Sequence, residues 1–283
     1  MSETLVSLWT DARRRLEAAG VDSPVIDARL LLEAGAGVGR IDIVTDPRRP
    51  VSAAQVMAVE AFVRRREARE PIGHILGHKG FWTLEFAVNA DVLSPRPETE
   101  LLVEVAMETL PKGWPARVLD LGVGSGAILL SILSERPEST GVGVDASEAA
   151  LAVARANAER LGFIDRATLQ RGDWTAGIEG QFDLIISNPP YIPSADIEGL
   201  EPEVAKWEPR LALDGGSDGL DPYRRIIADL PRLLAPTGAF AFEVGQGQAE
   251  AVQALAEAQG LTTTTPRMDL AGIPRVVAGK RAA

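Results

Sequence analysis

The chain has 283 residues, 46% hydrophobic and 24% charged, and no cysteine. That is ordinary globular composition with material for two domains, and it excludes a disulfide scaffold, a thiolate nucleophile and a cysteine-bound zinc. The net charge of −11 is uneven: residues 1–80 carry 12 basic and 11 acidic side chains, so residues 81–283 carry −12, which argues against a direct nucleic-acid substrate and suits a basic protein partner.

No apolar run reaches the roughly 18 residues of a spanning helix, and the N-terminus lacks a basic segment followed by a hydrophobic one. A cytoplasmic protein with no membrane association is expected. Apolar residues recur at helical spacing in three early stretches: Leu5, Leu8, Ala12 and Leu16; Ile26, Leu30, Leu31 and Ala34; Val56, Val59, Phe62 and Val63. Breakers at 20–24 and 35–39 separate them, which predicts a small N-terminal helical bundle over 1–79. Arg13, Arg14 and Arg15 and likewise Arg64, Arg65 and Arg66 are expected on solvated helix faces. His74 and His78 are the only histidines; glycines surround them, further ligands are lacking, and no metal site is expected.

From 80 to 91 the pattern becomes an alternation of Phe81, Thr83 and Glu85 against Trp82, Leu84, Phe86 and Val88, a β-hairpin serving as linker over 80–94. Pro95, Arg96, Pro97 and Glu98 then open a helix. Beyond Pro115, strands are predicted over 117–121, 141–145, 167–171, 182–187, 238–244 and 275–278. Helices are predicted between them over 126–135, 147–161, 223–234 and 246–259. This alternation predicts a doubly wound, Rossmann-like α/β domain over 95–283, with ligands at the carboxyl ends of its strands.

The string Asp120-Leu121-Gly122-Val123-Gly124-Ser125-Gly126 sits between a strand and a helix. Glycines at alternate positions let the backbone turn tightly against a ligand. Their spacing differs from the dinucleotide Gly-x-Gly-x-x-Gly and leans toward S-adenosyl-L-methionine over a nicotinamide. Asp145 ends the next strand, 23 residues after Gly122, where a carboxylate accepts both hydroxyls of a ribose; the competing role is an N-cap, which falls more naturally to Ser147. After the third strand, Asp173 is placed to receive an adenine amino group and Trp174 to cover the ring, unless Trp174 is plain core.

Asn188-Pro189-Pro190-Tyr191 directly follows the strand at 182–187. Two prolines fix φ and lack an N–H, so the loop presents acceptors. The Asn188 side-chain oxygen and the Pro189 carbonyl suit the two hydrogens of a planar NH₂ group, with Tyr191 against its face. Such a clamp aims the nitrogen at a methyl donor and stabilises the positive charge that develops there. The acidic side chains Asp196, Glu198, Glu201 and Glu203 read as a solvated loop or as a surface for a basic partner.

Asn-Pro-Pro-Tyr is shared by methyltransferases acting on planar NH₂ groups, adenine included. Further strings narrow the choice: 71–77 (Pro-Ile-Gly-His-Ile-Leu-Gly), Phe81-Trp82, 94–100 (Ser-Pro-Arg-Pro-Glu-Thr-Glu), 208–213 with 218–220, 243–248 (Glu-Val-Gly-Gln-Gly-Gln) and 269–275 (Asp-Leu-Ala-Gly-Ile-Pro-Arg). With these the chain resembles the HemK/PrmC family of protein-glutamine methyltransferases of peptide chain release factors. The resemblance implies methyl transfer from S-adenosyl-L-methionine to the side-chain amide of a glutamine in a Gly-Gly-Gln segment, in an enzyme of translation termination; the sequence leaves the oligomeric state open, with a monomer expected. It implies that 122–126, Asp145 and Trp174 bind the cofactor and that Asn188, Pro189, Pro190 and Tyr191 hold the glutamine. Gly73, His74, Ser94 and Val123 depart from the family's usual residues. The alternative is a nucleic-acid methyltransferase acting on an exocyclic adenine amine, which net acidity opposes.

Overall fold

The computed structural model describes residues 3–281, and the chain divides into two compact units. The first runs to Gly77 and takes in Glu201–Trp207; the second comprises His78–Leu200 and the chain from Glu208 onward.

The first unit is built from α1 (Leu5–Ala18), α2 (Pro24–Ala36), α3 (Arg40–Thr45), α4 (Ala53–Glu67) and α5 (Ile72–Leu76). Reciprocal capping boxes start α1 at Thr4 and Ser7 and start α4 at Ser52 and Gln55. Helix α2 opens with Pro24 in its first turn and closes on Gly37 in the left-handed region, φ 64°. Leu5, Leu16, Leu31, Leu32, Val59 and Val63 close the core of the bundle. Arg66 departs from the solvated face expected for it: it is buried, donating from Nε to Asp27 Oδ2 at 2.7 Å and from Nη1 to Glu203 Oε1 at 2.8 Å. Arg69 Nε donates to the same Glu203 oxygen at 2.6 Å. Glu203 is therefore neither a solvated loop residue nor a contact for a foreign basic partner. A buried guanidinium is tolerated only when its charge is answered, and the acidic segment 201–207 supplies the answer from far along the chain.

The second unit starts with the hairpin β1 (His78–Phe81) and β2 (Leu84–Ala87), closed by Trp82 at φ 56°. It continues with α6 (Glu100–Thr109), β3 (Arg117–Leu121), α7 (Ala127–Glu135), β4 (Thr140–Asp145), α8 (Glu148–Leu161), β5 (Ala167–Arg171) and β6 (Phe182–Ser187). After α9 (Pro202–Trp207), which belongs to the first unit, come α10 (Asp221–Leu233), β7 (Leu234–Glu243), α11 (Ala249–Ala258), β8 (Leu261–Thr263), β9 (Arg267–Met268) and β10 (Pro274–Arg281).

The large sheet has the order β5-β4-β3-β6-β7-β10-β8, with β9 pairing β10 at its side. Strands β5, β4, β3, β6 and β7 are parallel, whereas β10 runs antiparallel to β7 and β8 to β10. Strand residues alternate between two cores: Val118, Leu184 and Ile186 join Leu102, Leu130 and Leu133 on one face, while Leu119, Leu121 and Ile185 join Tyr223, Ile226 and Leu230 on the other. Both faces are covered, as a parallel sheet requires. The order reverses at β3, so the crevice at the carboxyl ends of β3, β4 and β6 is where a doubly wound sheet binds its ligand.

The hairpin read as a linker is grouped with the second unit. Buried Asn157 of α8 holds it: Asn157 Oδ1 accepts from Ala87 N at 2.8 Å, and Nδ2 donates to Ala87 O at 3.0 Å and to Ser125 O at 2.9 Å.

Candidate active site

The loop after β3 turns on three glycines in the left-handed region, Gly122 (φ 77°), Gly124 (φ 52°) and Gly126 (φ 84°). Gly122 N and Val123 N both donate to Val144 O, at 2.8 and 3.0 Å, which draws the loop over the end of β4. Gly126 answers a steric demand: a Cβ there would stand 3.0 Å from Leu130 Cδ1, so glycine lets α7 begin close to the sheet. Just before the loop, Asp120 is fully buried. Burial, joined by the charge of Asp145 and opposed by the Leu129 amide, pushes its carboxyl up to about 7.

Asp145 ends β4 with both oxygens on backbone amides, Oδ2 accepting from Gly124 N and Oδ1 from Ser147 N, each at 2.9 Å. Each oxygen keeps a further lone pair. The cap of α8 is Ser147, whose Oγ accepts from Ala150 N at 3.2 Å. Trp174 sits in the left-handed region at φ 54° and lays its ring beside Gly122, where a Cβ would stand 3.5 Å from Cζ3. It also packs on the core around Leu121 and Val144, so core and site roles coincide in one ring. Asp173 forms an ion pair with Arg225 of α10.

Asn188 follows β6, whose last residue, Ser187, donates from Oγ to Leu121 O at 2.5 Å and locks the two strand ends together. Asn188 Nδ2 donates to Thr99 Oγ1 at 3.2 Å, and among the described residues no hydrogen bond is made to its Oδ1. Gln248 holds the loop from behind, donating from Nε2 to Tyr191 O at 2.9 Å while its Oε1 accepts from Gly245 N at 3.0 Å. The Tyr191 hydroxyl is pushed up to about 12, first by burial and then by the charge of Glu243. Glu243, at the end of β7, is itself buried, and burial pushes its carboxyl up to about 7.

These elements enclose a cavity of about 450 Å³, in the range of sites for small organic ligands. Its wall brings together Gly122, Val123, Gly124, Ser125, Asp145, Asp173, Trp174, Asn188 and Pro190; Gly126, Pro189 and Tyr191 are not among its lining residues but each adjoins one in the chain. Arg96, Thr99, Glu208, Glu243 and Gln248 carry no individual signal in the sequence. Their signal lay in the strings at 94–100, 208–213 and 243–248, which the fold joins: buried Glu208 accepts from Arg96 Nη2 at 2.6 Å and from Ser94 N at 3.2 Å. Arg96 thus faces the cavity with its charge already answered. Among the described residues, no group of three or more His, Cys, Asp or Glu stands together to hold a metal, and no helix is long and apolar enough to cross a membrane.

The residues fit a nucleoside cofactor: acceptors at Asp145, a loop whose three glycines leave room for a ligand, and apolar walls from Val123, Ile128 and Trp174. The fold is that of a methyltransferase, for a methyltransferase from Pyrococcus furiosus superposes with a TM-score of 0.54 at 17% identity, over 72% of this chain and 92% of its own. Residues 7–77 match the PrmC N-terminal domain and residues 97–199 the methyltransferase small domain. The chain is 52% identical to the release factor glutamine methyltransferase of Caulobacter vibrioides, over 99% of this chain and 97% of that protein. It is 50% identical to the protein of that name from Rhodospirillum rubrum, over 95% of this chain and 82% of that one. The chain belongs to the release factor glutamine methyltransferase family.

Proposed function

We propose that this enzyme transfers a methyl group from S-adenosyl-L-methionine to the side-chain amide nitrogen of the glutamine in the Gly-Gly-Gln segment of a peptide chain release factor. The observation that carries this reading is the single cavity wall shared by the glycine loop, Asp145 and Asn188.

When bound, S-adenosyl-L-methionine supplies an electrophilic methyl on a sulfonium. Asp145 accepts from the ribose, Val123 and Trp174 enclose the base, and Asp173 with Arg225 lies at the rim. At the other end, Asn188 Oδ1 and the Pro189 carbonyl accept the two hydrogens of the glutamine NH₂, Pro190 closes the wall, and Tyr191 backs the loop. An amide nitrogen is a poor nucleophile because its lone pair is shared with the carbonyl. Two fixed acceptors favour the geometry in which that nitrogen carries positive charge, so they act more strongly on the transition state than on the flat ground state. Once methylated, the nitrogen is strongly acidic and gives its proton to water without a dedicated base.

The first unit, with residues 1–79 as its sequence-derived extent, recognises the protein substrate in this reading. A glutamine side chain alone covers too little surface to select one protein, and the first unit carries an apolar groove lined by Val6, Trp9, Ile26, Ile43 and Val44. Incubation with methyl-labelled S-adenosyl-L-methionine and separate protein, DNA and RNA pools tests the assignment. Label confined to protein supports it, and label in adenine overturns it in favour of a nucleic-acid substrate.

A further inference from the structure

Leu211 is a large apolar side chain that stands 60% exposed on the wall of the cavity. A lone exposed leucine on open surface is ordinary. This one belongs to an apolar stretch of the wall, for Pro209 and Ala212 line the cavity beside it. Residues 210–212 form one 3₁₀ turn, and Leu213, just after it, is buried. The turn thus sets one leucine into the protein and leaves the other facing out.

Hydrogen bonds pin the turn on both sides. Before it, buried Glu208 accepts from Arg96 Nη2 and Ser94 N. After it, Asp214 Oδ1 accepts from Ser194 Oγ at 2.5 Å and from Gly216 N at 3.1 Å, and its Oδ2 accepts from Arg210 Nε at 3.3 Å. Ile192 bridges the same stretch, its N donating to Leu213 O at 3.0 Å and its O accepting from Gly215 N at 2.8 Å. These pins connect the turn to the Asn188 loop. Arg96 lies three residues before Thr99, which accepts from Asn188 Nδ2; Ile192 directly follows Tyr191, and a Cβ on Gly215 would stand 2.9 Å from Pro190 O. Leu211 is therefore held with the loop proposed to receive the methyl acceptor, whereas the glycine loop and Asp145 come from the ends of β3 and β4.

We propose that Leu211 is a specificity-determining residue, which lies against the substrate backbone next to the methylated glutamine and disfavours any neighbour there that carries a Cβ. A pinned leucine presents a fixed apolar edge. Consecutive glycines offer that edge bare backbone, so contact closes and the leucine is covered. One added methyl meets the leucine before the glutamine amide reaches Asn188, and such a clash discriminates between substrates as effectively as a new attraction.

This inference rests on the release-factor glutamine being the methyl acceptor. Its test compares the full-length enzyme with Leu211→Ala and Leu211→Phe on two substrates: an intact release factor, and the same factor with its segment changed to Gly-Ala-Gln. For each enzyme the ratio of kcat/KM on the two substrates is read. Comparing that ratio between enzymes cancels whatever the extra methyl does to the factor itself. The wild type should prefer the glycine form. Leu211→Ala should narrow that preference about tenfold, the order of effect of one methylene at an apolar wall, and Leu211→Phe should widen it. Leu211→Ala should also raise KM for the unaltered factor, with S-adenosyl-L-methionine affinity unchanged by calorimetry. A wild type that methylates the factor with a preference shared by both variants overturns this inference alone. So does a Leu211→Ala variant that loses cofactor affinity in step with turnover, since that places the side chain on the cofactor. A wild type that methylates no release factor overturns the functional reading and this inference with it.

Discussion

The Gly124 amide donates to Asp145 Oδ2 at 2.9 Å, so the glycine loop and the carboxylate at the end of the neighbouring strand form one hydrogen-bonded unit. Removing the carboxylate takes away the proposed ribose acceptor and the anchor of the loop together. Asp145→Ala should weaken S-adenosyl-L-methionine binding by roughly 10- to 100-fold, the loss expected for hydrogen bonds to a charged group. Calorimetry on both proteins checks this, and equal affinities would remove Asp145 from the site.

Asn188→Ala deletes one of two proposed acceptors and leaves the glycine loop intact. Turnover should fall by roughly 10²–10³, the range for losing one preorganised partner of a developing charge, with cofactor affinity changed much less. A single-turnover assay on cofactor-loaded enzyme separates these effects. Near wild-type transfer by the variant would make the loop a structural turn only.

Much of this site was legible in the sequence, for a physical reason. Glycines that must take positive φ and prolines that must present bare carbonyls are constraints on backbone, which one residue type satisfies and a string therefore reveals. The parallel strands were legible likewise, because Val118, Leu119, Leu184, Ile185 and Ile186 face two cores and read as unbroken apolar runs. What stayed hidden was partnership across distance. Glu203 answers Arg66 across 137 positions, and Glu208 answers Arg96 across 112; neither pairing leaves a local pattern. Short β8 and β9 were missed because so few residues show no period, and their place comes from pairing with β10.

Stability should depend on the two buried carboxyls. Asp120 and Glu243 are both raised to about 7 by burial, so between the ordinary carboxylate range and about 7 the folded chain holds protons that the unfolded chain has lost. Stability contributed by these groups is therefore greatest at acid pH, falls as pH rises through that window and levels off above about 7. The cofactor-free protein should lose several degrees of Tm between about pH 5 and 8, at roughly 2–4 °C per kcal/mol. Asp120→Asn should shrink that slope in thermal scans; an identical slope in the variant would show that Asp120 does not titrate in the window.

The apolar groove of the first unit offers a test of substrate recognition apart from chemistry. Val44 is 71% and Ile26 52% exposed, so a charge at either is tolerated by the fold. Val44→Glu with Ile26→Glu should raise KM for an intact release factor about tenfold or more while leaving cofactor affinity alone. Steady-state kinetics with varied release factor read this out. An unchanged KM would place recognition on another surface.

The most direct measurement is mass mapping of an intact release factor after reaction with the enzyme and S-adenosyl-L-methionine. A single added methyl is expected on the side-chain amide of the Gly-Gly-Gln glutamine, absent when Asn188→Ala is used over the same short time. Methyl found on another residue, or transferred to adenine while that glutamine stays unmodified, would contradict it.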